Sequence, residues 1–429
     1  MRALTTALVA SPILGAFIAT PLARAQDPSQ IAYNISVGQR PFETQRLLDA
    51  YDIGSARLGA WLLTPVLQLT ETSNSNIFAT ADNEIDDFIT SIRPEVELES
   101  DWNRHQTLFK IGADSGLYRD NSDENYNDYH FSNRTRLDIS HGTRLTADLR
   151  YRHAHTPRSS AENVGAAAEP LEFDQRTAAL GLKRSLGIFT AGITGEIERV
   201  TYSKSNAIGG GTIDNSDRDR TETRISTRLG YEPFAESTAY LEISLNDVDY
   251  DDPTKLGDPN RDNSGFTIDL GAKKIISNLW VIDVGLGYHP RDFANSDLDD
   301  ISGTQALTLR GEALWNPTAL TSVIGSLRRQ TYETTVQNAS AVVNTFLALN
   351  VEHQLLRSLT LNAGLNYSDS DFVGSARTDR DSGVSAGLEY VLTRFISLRA
   401  DVRYRQRDSS LDSADYDQHL AEIGLRLSL

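Results

Sequence analysis

The chain of 429 residues contains no cysteine, which excludes a disulfide scaffold, a thiolate metal site, a cysteine nucleophile and a lipid-modified N-terminal cysteine. It also lacks a cationic surplus. With Lys+Arg 41 against Asp+Glu 59, the formal net charge of -18 argues against binding to nucleic acid. Beyond the N-terminus, no segment approaches the roughly 20 apolar residues that a spanning helix requires. If the mature chain enters a membrane, it must therefore cross as strands.

The N-terminus has the organisation of a secretory signal. A short basic region precedes an apolar stretch from Ala3 to Ala19, and Ala23-Arg24-Ala25 forms a small-residue cleavage pattern. The alternative is a membrane anchor, but Pro12 interrupts this stretch, which is too short to span a bilayer. We therefore predict a signal peptide at residues 1–25 that is cleaved after Ala25.

The remainder divides into a periplasmic lead-in at residues 26–57 and one strand-rich domain at 58–429. In that domain, apolar and polar residues alternate over segments of roughly ten to fifteen residues. Strand side chains point alternately to opposite faces, so each segment has one apolar and one polar face. The clearest case is Phe395 to Arg407. One face carries Ile396, Leu398, Ala400, Val402 and Tyr404. The other carries Ser397, Arg399, Asp401, Arg403 and Arg405.

The connections between these segments are alternately short and long. Short links are expected near His141-Gly142, Leu186-Gly187, Pro233-Phe234, Ser277-Asn278, Asn316-Pro317, Arg357-Ser358 and Thr393-Arg394. The longer polar stretches include 73–86, 120–126, 157–170, 205–217, 251–263, 292–302, 334–341, 370–379 and 408–414. This asymmetry is typical of an outer-membrane barrel. The sequence therefore predicts an all-β fold, a transmembrane antiparallel up-and-down β-barrel of about 18 strands with both termini periplasmic.

A soluble β-sandwich could show the same alternation, but it needs no difference between short and long connections. Aromatic residues also recur near the predicted strand ends, as an interfacial girdle requires. They are Tyr118, Tyr151, Tyr231, Tyr250, Tyr288, Trp315, Tyr332, Tyr367 and Tyr404. Barrels of about 16 to 18 strands leave an aqueous channel, so we expect a conduit unless loops fold into it.

Charged residues on the polar faces are the candidate lumen-lining groups. The arginines among them are Arg134, Arg136, Arg150, Arg152, Arg220, Arg224, Arg228, Arg399, Arg403 and Arg405. Alternating guanidinium and carboxylate groups on a wet wall could guide an anionic or hydroxyl-rich solute. The alternative is that these groups pair with one another and brace the wall.

Other chemistry is sparse in the sequence. His153 and His155 could form a metal pair, although two rim residues without a third ligand are the simpler interpretation. Acidic runs at 120–124, 214–219 and 247–252 could bind calcium but lack the spacing of an EF-hand loop. No motif sets a nucleophile beside a base, so we expect no enzymatic activity, no metal and no cofactor.

Several stretches resemble the "putative β-barrel porin 2" family of proteobacterial outer-membrane proteins. They are 56–65, Asn76-Ile77-Phe78, Asp87-Phe88-Ile89, Arg93-Pro94, Ser100 to His105, Tyr118, Tyr126 to Tyr129 and 136–138. The match departs from the family at Thr72 to Ser75 and at the terminal Leu429. We name the stretch from Ser100 to His105 the motif turn. Its Trp102, Arg104 and His105 either dock a periplasmic partner or stabilise a tight turn at the membrane interface.

The resemblance implies a channel that lets exopolysaccharide or capsular polysaccharide cross the Gram-negative outer membrane. The implied partners are outer-membrane lipid, the barrel-assembly machinery, a periplasmic polysaccharide-export lipoprotein and the polysaccharide itself. Two alternatives remain open: a passive diffusion porin for small solutes, and a structural or surface barrel with an occluded lumen.

The signal interpretation predicts the start of the mature protein. N-terminal sequencing of the membrane-inserted form should begin at Gln26. Replacing Ala25 by Arg should block processing, because the cleavage site requires a small residue, and should leave a larger species on a gel. The control Gln26→Ala should be processed normally, and cleavage of both variants at the same site would contradict the prediction.

Overall fold

The computed structural model describes residues 55–163, 165–234, 236–251, 260–295 and 297–428, and their main sheet contains eighteen long antiparallel strands. The predicted signal and most of the lead-in lie outside the described residues. In chain order the strands are β1 Trp61–Asn74, β2 Asp87–Ser100, β3 Gln106–Tyr118, β4 Tyr126–Ser140, β5 Thr143–Thr156, β6 Leu171–Leu186, β7 Phe189–Tyr202, β8 Arg220–Phe234, β9 Ser237–Tyr250, β10 Asn263–Ile276, β11 Trp280–Tyr288, β12 Leu307–Thr318, β13 Thr321–Glu333, β14 Ala341–Leu356, β15 Leu359–Val373, β16 Thr378–Thr393, β17 Ile396–Ser409 and β18 Tyr416–Ser428.

The sheet closes on itself. Each strand pairs with the next in the chain, and β1 pairs with β18 from Val66↔Ser428 to Asn74↔Leu420. This closure gives the backbone groups of every strand a hydrogen-bonding neighbour on both sides, as a lipid environment demands. The predicted all-β antiparallel barrel and its strand number are confirmed.

The described residues also form four short strands. Ala56–Leu58 folds back on the first residues of β1, and Arg291–Phe293 continues β11 beside β10. Ser205–Asn206 and Thr212–Ile213 form a separate two-stranded ribbon in the long connection after β7. None of the helices in the described ranges is long and apolar enough to cross a membrane.

The outer and inner faces of the barrel wall follow the alternation of side chains along each strand. In β17, Leu398 and Val402 are 40% and 57% exposed on the outside of the isolated molecule, as lipid-facing side chains must be. Arg403 and Arg407 lie on the opposite, inner face of the same strand. Buried apolar clusters are small and lie near the end of the barrel that carries the long loops. We call this the long-loop end and the opposite one the short-turn end.

Aromatic pairs mark the short-turn end. Trp280 stacks on Trp315 with ring centroids 5.4 Å apart, and Trp61 meets Trp102 edge-on at 5.3 Å. These rings lie where β1, β11 and β12 begin or end, which matches an interfacial girdle.

One detail of the expected pattern is wrong. Tyr250 and Tyr332 are each only 5% exposed, because both lie on the inner face of the wall. Tyr250 is opposite Arg220 in the register, and Tyr332 packs in a buried cluster with Val342 and Phe372, so neither belongs to a lipid-facing girdle. The short link expected near Asn316-Pro317 is present and is centred at residues 319–320, since β12 continues to Thr318 and pairs it with Thr321. Proline is accommodated there because a strand end tolerates the loss of one donor.

The seam between β1 and β18 generates a stability prediction. A Cβ at Gly424 would lie 2.8 Å from the Cγ2 of Thr70, which is itself 7% exposed. Gly424→Val should therefore overpack the seam and destabilise the barrel by about 1–3 kcal/mol. On a gel, the shift from the folded to the unfolded band should occur at a lower heating temperature than in the wild type.

The matched control is Ile423→Val on the adjacent outward position, where Ile423 is 70% exposed. It should leave the melting behaviour nearly unchanged. Equal thermal stability of the two variants would show that the seam is not tightly packed.

Candidate functional site

The inner wall brings most of the candidate arginines into ion pairs. Arg134 Nε lies 2.9 Å from Asp148 Oδ2, and Arg150 joins Asp148 at 2.6 Å and Glu196 at 3.3 Å. The remaining pairs are Arg136–Asp138 at 3.4 Å, Arg220–Glu222 at 2.9 Å, Arg228–Glu242 at 2.5 Å, Arg399–Asp401 at 3.6 Å and Arg403–Glu422 at 3.8 Å. Seven of the ten candidate arginines are therefore neutralised by neighbouring carboxylates.

Three candidate arginines differ from this pattern. Arg152 lies 5.6 Å from the centre of the Phe173 ring. The Nε atom of Arg224 is buried without a hydrogen-bond partner. Arg405 forms no ion pair or hydrogen bond with any described residue.

The motif turn after β2 binds its neighbouring turn. Arg104 donates from Nε to the carbonyl of Asp138 at 2.8 Å and from Nη2 to that of Ile139 at 2.6 Å. His105 Nδ1 accepts the N–H of Asp138 at 3.2 Å. Together with the edge-on contact of Trp102, these bonds favour the structural interpretation of this turn.

The two histidines of β5 do not converge on a common point. His153 Nδ1 lies 2.9 Å from Asp174 Oδ1, and His155 Nδ1 lies 2.9 Å from Asp128 Oδ1. His153 also stacks on Tyr129 with ring centroids 4.7 Å apart. Each imidazole thus has its own carboxylate. Among the described residues, no group of three or more His, Asp or Glu side chains has the arrangement of a metal site.

The connection after β5 crosses the mouth of the barrel at the long-loop end. Its first part, residues 157–163, is named the cross-mouth segment here. Ala161 packs against the cluster of Val342 and Phe372 on β14 and β15. Because β5 and β14 are nine places apart in the ring of eighteen strands, the segment reaches from one side of the barrel to the other.

Glu162 fixes the far end of the cross-mouth segment. Its carboxylate accepts hydrogen bonds from the Thr335 backbone N–H at 3.0 Å and from the hydroxyls of Thr335 and Thr334. Arg218 donates to the Glu162 carbonyl at 2.7 Å and places its charge 3.8 Å from the carboxylate. Loops from β5, β7 and β13 therefore meet at one residue.

Two further arginines hold the segment along its length. Arg158 makes two hydrogen bonds to Glu124, at 2.8 and 2.6 Å, and these side chains are only 9% and 5% exposed. Arg407 on β17 donates to the Ser159 carbonyl at 2.8 Å while its Nε binds Asp381 at 2.8 Å. The two hydrogen bonds between Arg158 and Glu124 fix the orientation of both side chains as well as pairing their charges.

The wall beside the mouth is packed with charges that water scarcely reaches. Arg220 and Arg291 are each 2% exposed, and Glu198 is 1% exposed. Arg291 pairs with Glu333, whose carboxylate also accepts a hydrogen bond from Asn263 at 3.1 Å. Breaking a buried pair of this kind costs several kcal/mol, so we expect this part of the mouth to be rigid.

Burial also affects a carboxyl group at the base of the loop after β7. It raises the pKa of Asp219, although the Tyr202 N–H donates to this carboxylate at 2.6 Å. Asp219 therefore takes up a proton at a higher pH than an exposed aspartate does.

Sequence patterns did not reveal the cross-mouth segment. Glu162 and Arg158 lie in a polar stretch rich in alanine that reads as a solvated loop. Their partners Thr334 and Glu124 lie in other loops, and nothing in the local sequence specifies those pairings.

Residues 49–429 match the model of the family described as Putative beta-barrel porin 2. The chain belongs to this family. It is an outer-membrane β-barrel porin, and both family and fold point to a channel rather than an enzyme. No curated protein matches the sequence of this porin.

Solved structures with similar folds include outer-membrane porins from Pseudomonas. OpdK of Pseudomonas aeruginosa with vanillate has 12% identity and a TM-score of 0.45, over 86% of this chain and 99% of that one. OccK2 (OpdF) of Pseudomonas aeruginosa in complex with glucuronate has 12% identity and a TM-score of 0.47, over 87% and 99%. A BenF-like porin from Pseudomonas fluorescens Pf-5 has 11% identity and a TM-score of 0.46, over 87% and 100%.

The contacts of Glu162 generate a prediction about the mouth. Glu162→Ala removes the acceptor of three hydrogen bonds, so the cross-mouth segment of the porin should lose its attachment to the loop after β13. We expect a higher single-channel conductance in planar bilayers. The control Glu84→Ala removes an exposed carboxylate from the loop after β1 and should leave the conductance unchanged. Identical conductance of the two variants would show that the segment does not narrow the pore.

Proposed function

We propose that this porin is a diffusion channel for small hydrophilic solutes, with the cross-mouth segment as its size-selective constriction. The observation that carries the proposal is the attachment of residues 157–163 to opposite sides of the barrel. An eighteen-stranded barrel is wide enough for an aqueous lumen, and a segment across its mouth restricts which solutes enter. Short-turn and long-loop ends would face the periplasm and the cell exterior, respectively.

The inner wall supports passive diffusion of hydrophilic solutes. Most of its candidate arginines have a carboxylate partner within 4 Å, as in the pairs Arg134–Asp148 and Arg228–Glu242. Paired charges keep the wall hydrated without a strong net field, so we expect weak discrimination between simple cations and anions.

Export of a polysaccharide is the rival proposal. It follows from the family resemblance and would involve a periplasmic export lipoprotein behind the channel. A polymer could pass only if the cross-mouth segment left its position, which would break the pair of Arg158 with Glu124 and the bonds of Glu162. The small-solute channel needs no such rearrangement, and for this reason we favour it.

Liposome swelling tests the proposal directly. Proteoliposomes that contain the full mature porin should swell rapidly in a monosaccharide and progressively more slowly in di-, tri- and tetrasaccharides. Empty liposomes provide the control. Absence of swelling with every sugar would favour an occluded barrel and overturn the channel.

A clean deletion separates the two proposals in the cell. Loss of a diffusion porin should leave the amount of surface polysaccharide unchanged. Accumulation of the polymer in the periplasm, reversed by the wild-type chain, would support export and contradict a role limited to small solutes.

A further inference from the structure

The inner wall formed by β14–β18 contains a recess just below the mouth. Its lining includes Asn350, Gly364, Asn366, Ser385, Arg403 and Arg405. Arg407, which binds the cross-mouth segment, is the next inward residue of β17 above Arg405. Inward residues two apart on a strand are separated by roughly 7 Å, so the recess begins immediately beneath the segment.

The strand register places glycine and serine, which have no side chain or a small one, in the middle of this part of the wall. In one cross-strand row, Asn366 pairs with Gly383 and Gly383 pairs with Arg405. In the next row, Gly364 and Ser385 lie between Asn350 and Arg403. Both rows thus have an amide at one side, glycine or serine in the middle and a guanidinium at the other side.

The amide side chains lie close to the glycine floor. A Cβ added at Gly364 would lie 2.9 Å from Asn350 Oδ1, and one at Gly383 would lie 2.5 Å from Asn366 Oδ1. These amides therefore occupy the space that larger side chains would fill. Each amide offers two donors and one acceptor, the combination that suits hydroxyl groups.

Arg405 supplies a positive charge to the recess. The one carboxylate in the lining among the described residues, Asp381, pairs with Arg407 at 2.8 Å. Its backbone neighbours across the sheet are Gly383 and Gln418, neither of which is acidic. Within the described part of the chain its guanidinium has no ion-pair or hydrogen-bond partner. The neighbouring arginines differ in this respect, since Arg403 lies 3.8 Å from Glu422 and Arg407 lies 2.8 Å from Asp381. One uncompensated guanidinium matches one carboxylate, which it can bind through two parallel hydrogen bonds.

We propose that this recess binds a small monocarboxylate that carries hydroxyl groups. Arg405 holds the carboxylate, and Asn350 and Asn366 hold the hydroxyls. The amide and guanidinium of the first row stand two strands apart, roughly 10 Å. The recess encloses about 60 Å³, so it takes the carboxylate and the nearest hydroxyls while the rest of the solute extends into the lumen. The inference deepens the proposed function, because such a solute reaches the recess by passing the mouth.

Titration calorimetry on the detergent-solubilised mature porin tests the site, with D-gluconate as the probe. Wild-type protein should bind gluconate more tightly than glucose, which lacks the carboxylate, and more tightly than acetate, which lacks the hydroxyls. Arg405→Gln should weaken gluconate binding about tenfold or more, because it removes a charge-assisted bidentate contact. Asn366→Ala should weaken gluconate binding but leave acetate binding unchanged.

The matched control is Arg380→Gln. Arg380 lies on β16 and is exposed on the outer wall, where it is 3.4 Å from Asp369. This variant should bind gluconate like the wild type. Heat-modified gel migration of every variant must match the wild type, so that a change in affinity reports the site and not the fold.

Several outcomes would overturn the site. If Arg405→Gln bound gluconate as tightly as the wild type, Arg405 would not hold the carboxylate and the proposed site would be wrong. Inorganic phosphate that bound as tightly as gluconate would indicate a general anion site, and no calorimetric binding of gluconate to the wild type would refute the recess altogether.

Conductance in potassium chloride separates this failure from failure of the channel. A conducting porin without gluconate binding would leave the diffusion function intact and refute the recess. Gluconate binding by a non-conducting protein would support the recess and refute the channel.

Discussion

Satisfaction of backbone hydrogen bonds without water is the constraint on which the rest of the structure depends. In a hydrocarbon environment an unpaired N–H or C=O costs several kcal/mol, so a sheet that enters it must have no free edge. The pairing of β1 with β18 removes the last edge. Once the ring is closed, the alternation of side chains assigns every strand one face toward lipid and one toward the lumen.

The inner face then has to satisfy many charges within a confined space. Ion pairs such as Arg150–Glu196 and Arg228–Glu242 achieve this along the wall, and buried pairs such as Arg291–Glu333 achieve it beside the mouth. The cross-mouth segment uses the same chemistry through Arg158 and Glu162. In the proposed channel an entrance built from paired charges would select by size. Arg405, which has no ion-pair partner among the described residues, differs from that background.

The period-two pattern predicted the strand number, the two faces and the different lengths of the connections. It succeeded because each of these follows from neighbours along the chain, as in the strand that holds Arg399 and Arg403. The mouth could not be predicted in this way, since Glu162 meets Thr334 at a separation of 172 residues. Tyr250 and Tyr332 were misplaced because nearness to a strand end alone assigned them to the girdle, whereas both lie on the inner face of the wall. The recess required the register of β14–β17, which no local pattern encodes.

The placement of the cross-mouth segment has a consequence for biogenesis. Ser159 and Ala161 are held by β14, β15 and β17, which are synthesised long after the segment itself. Such non-local contacts form late, because a long loop must close before they contribute any stability. During assembly the segment can therefore take up its final position only after β14, β15 and β17 have joined the sheet, so the entrance is among the last parts of the barrel to take shape.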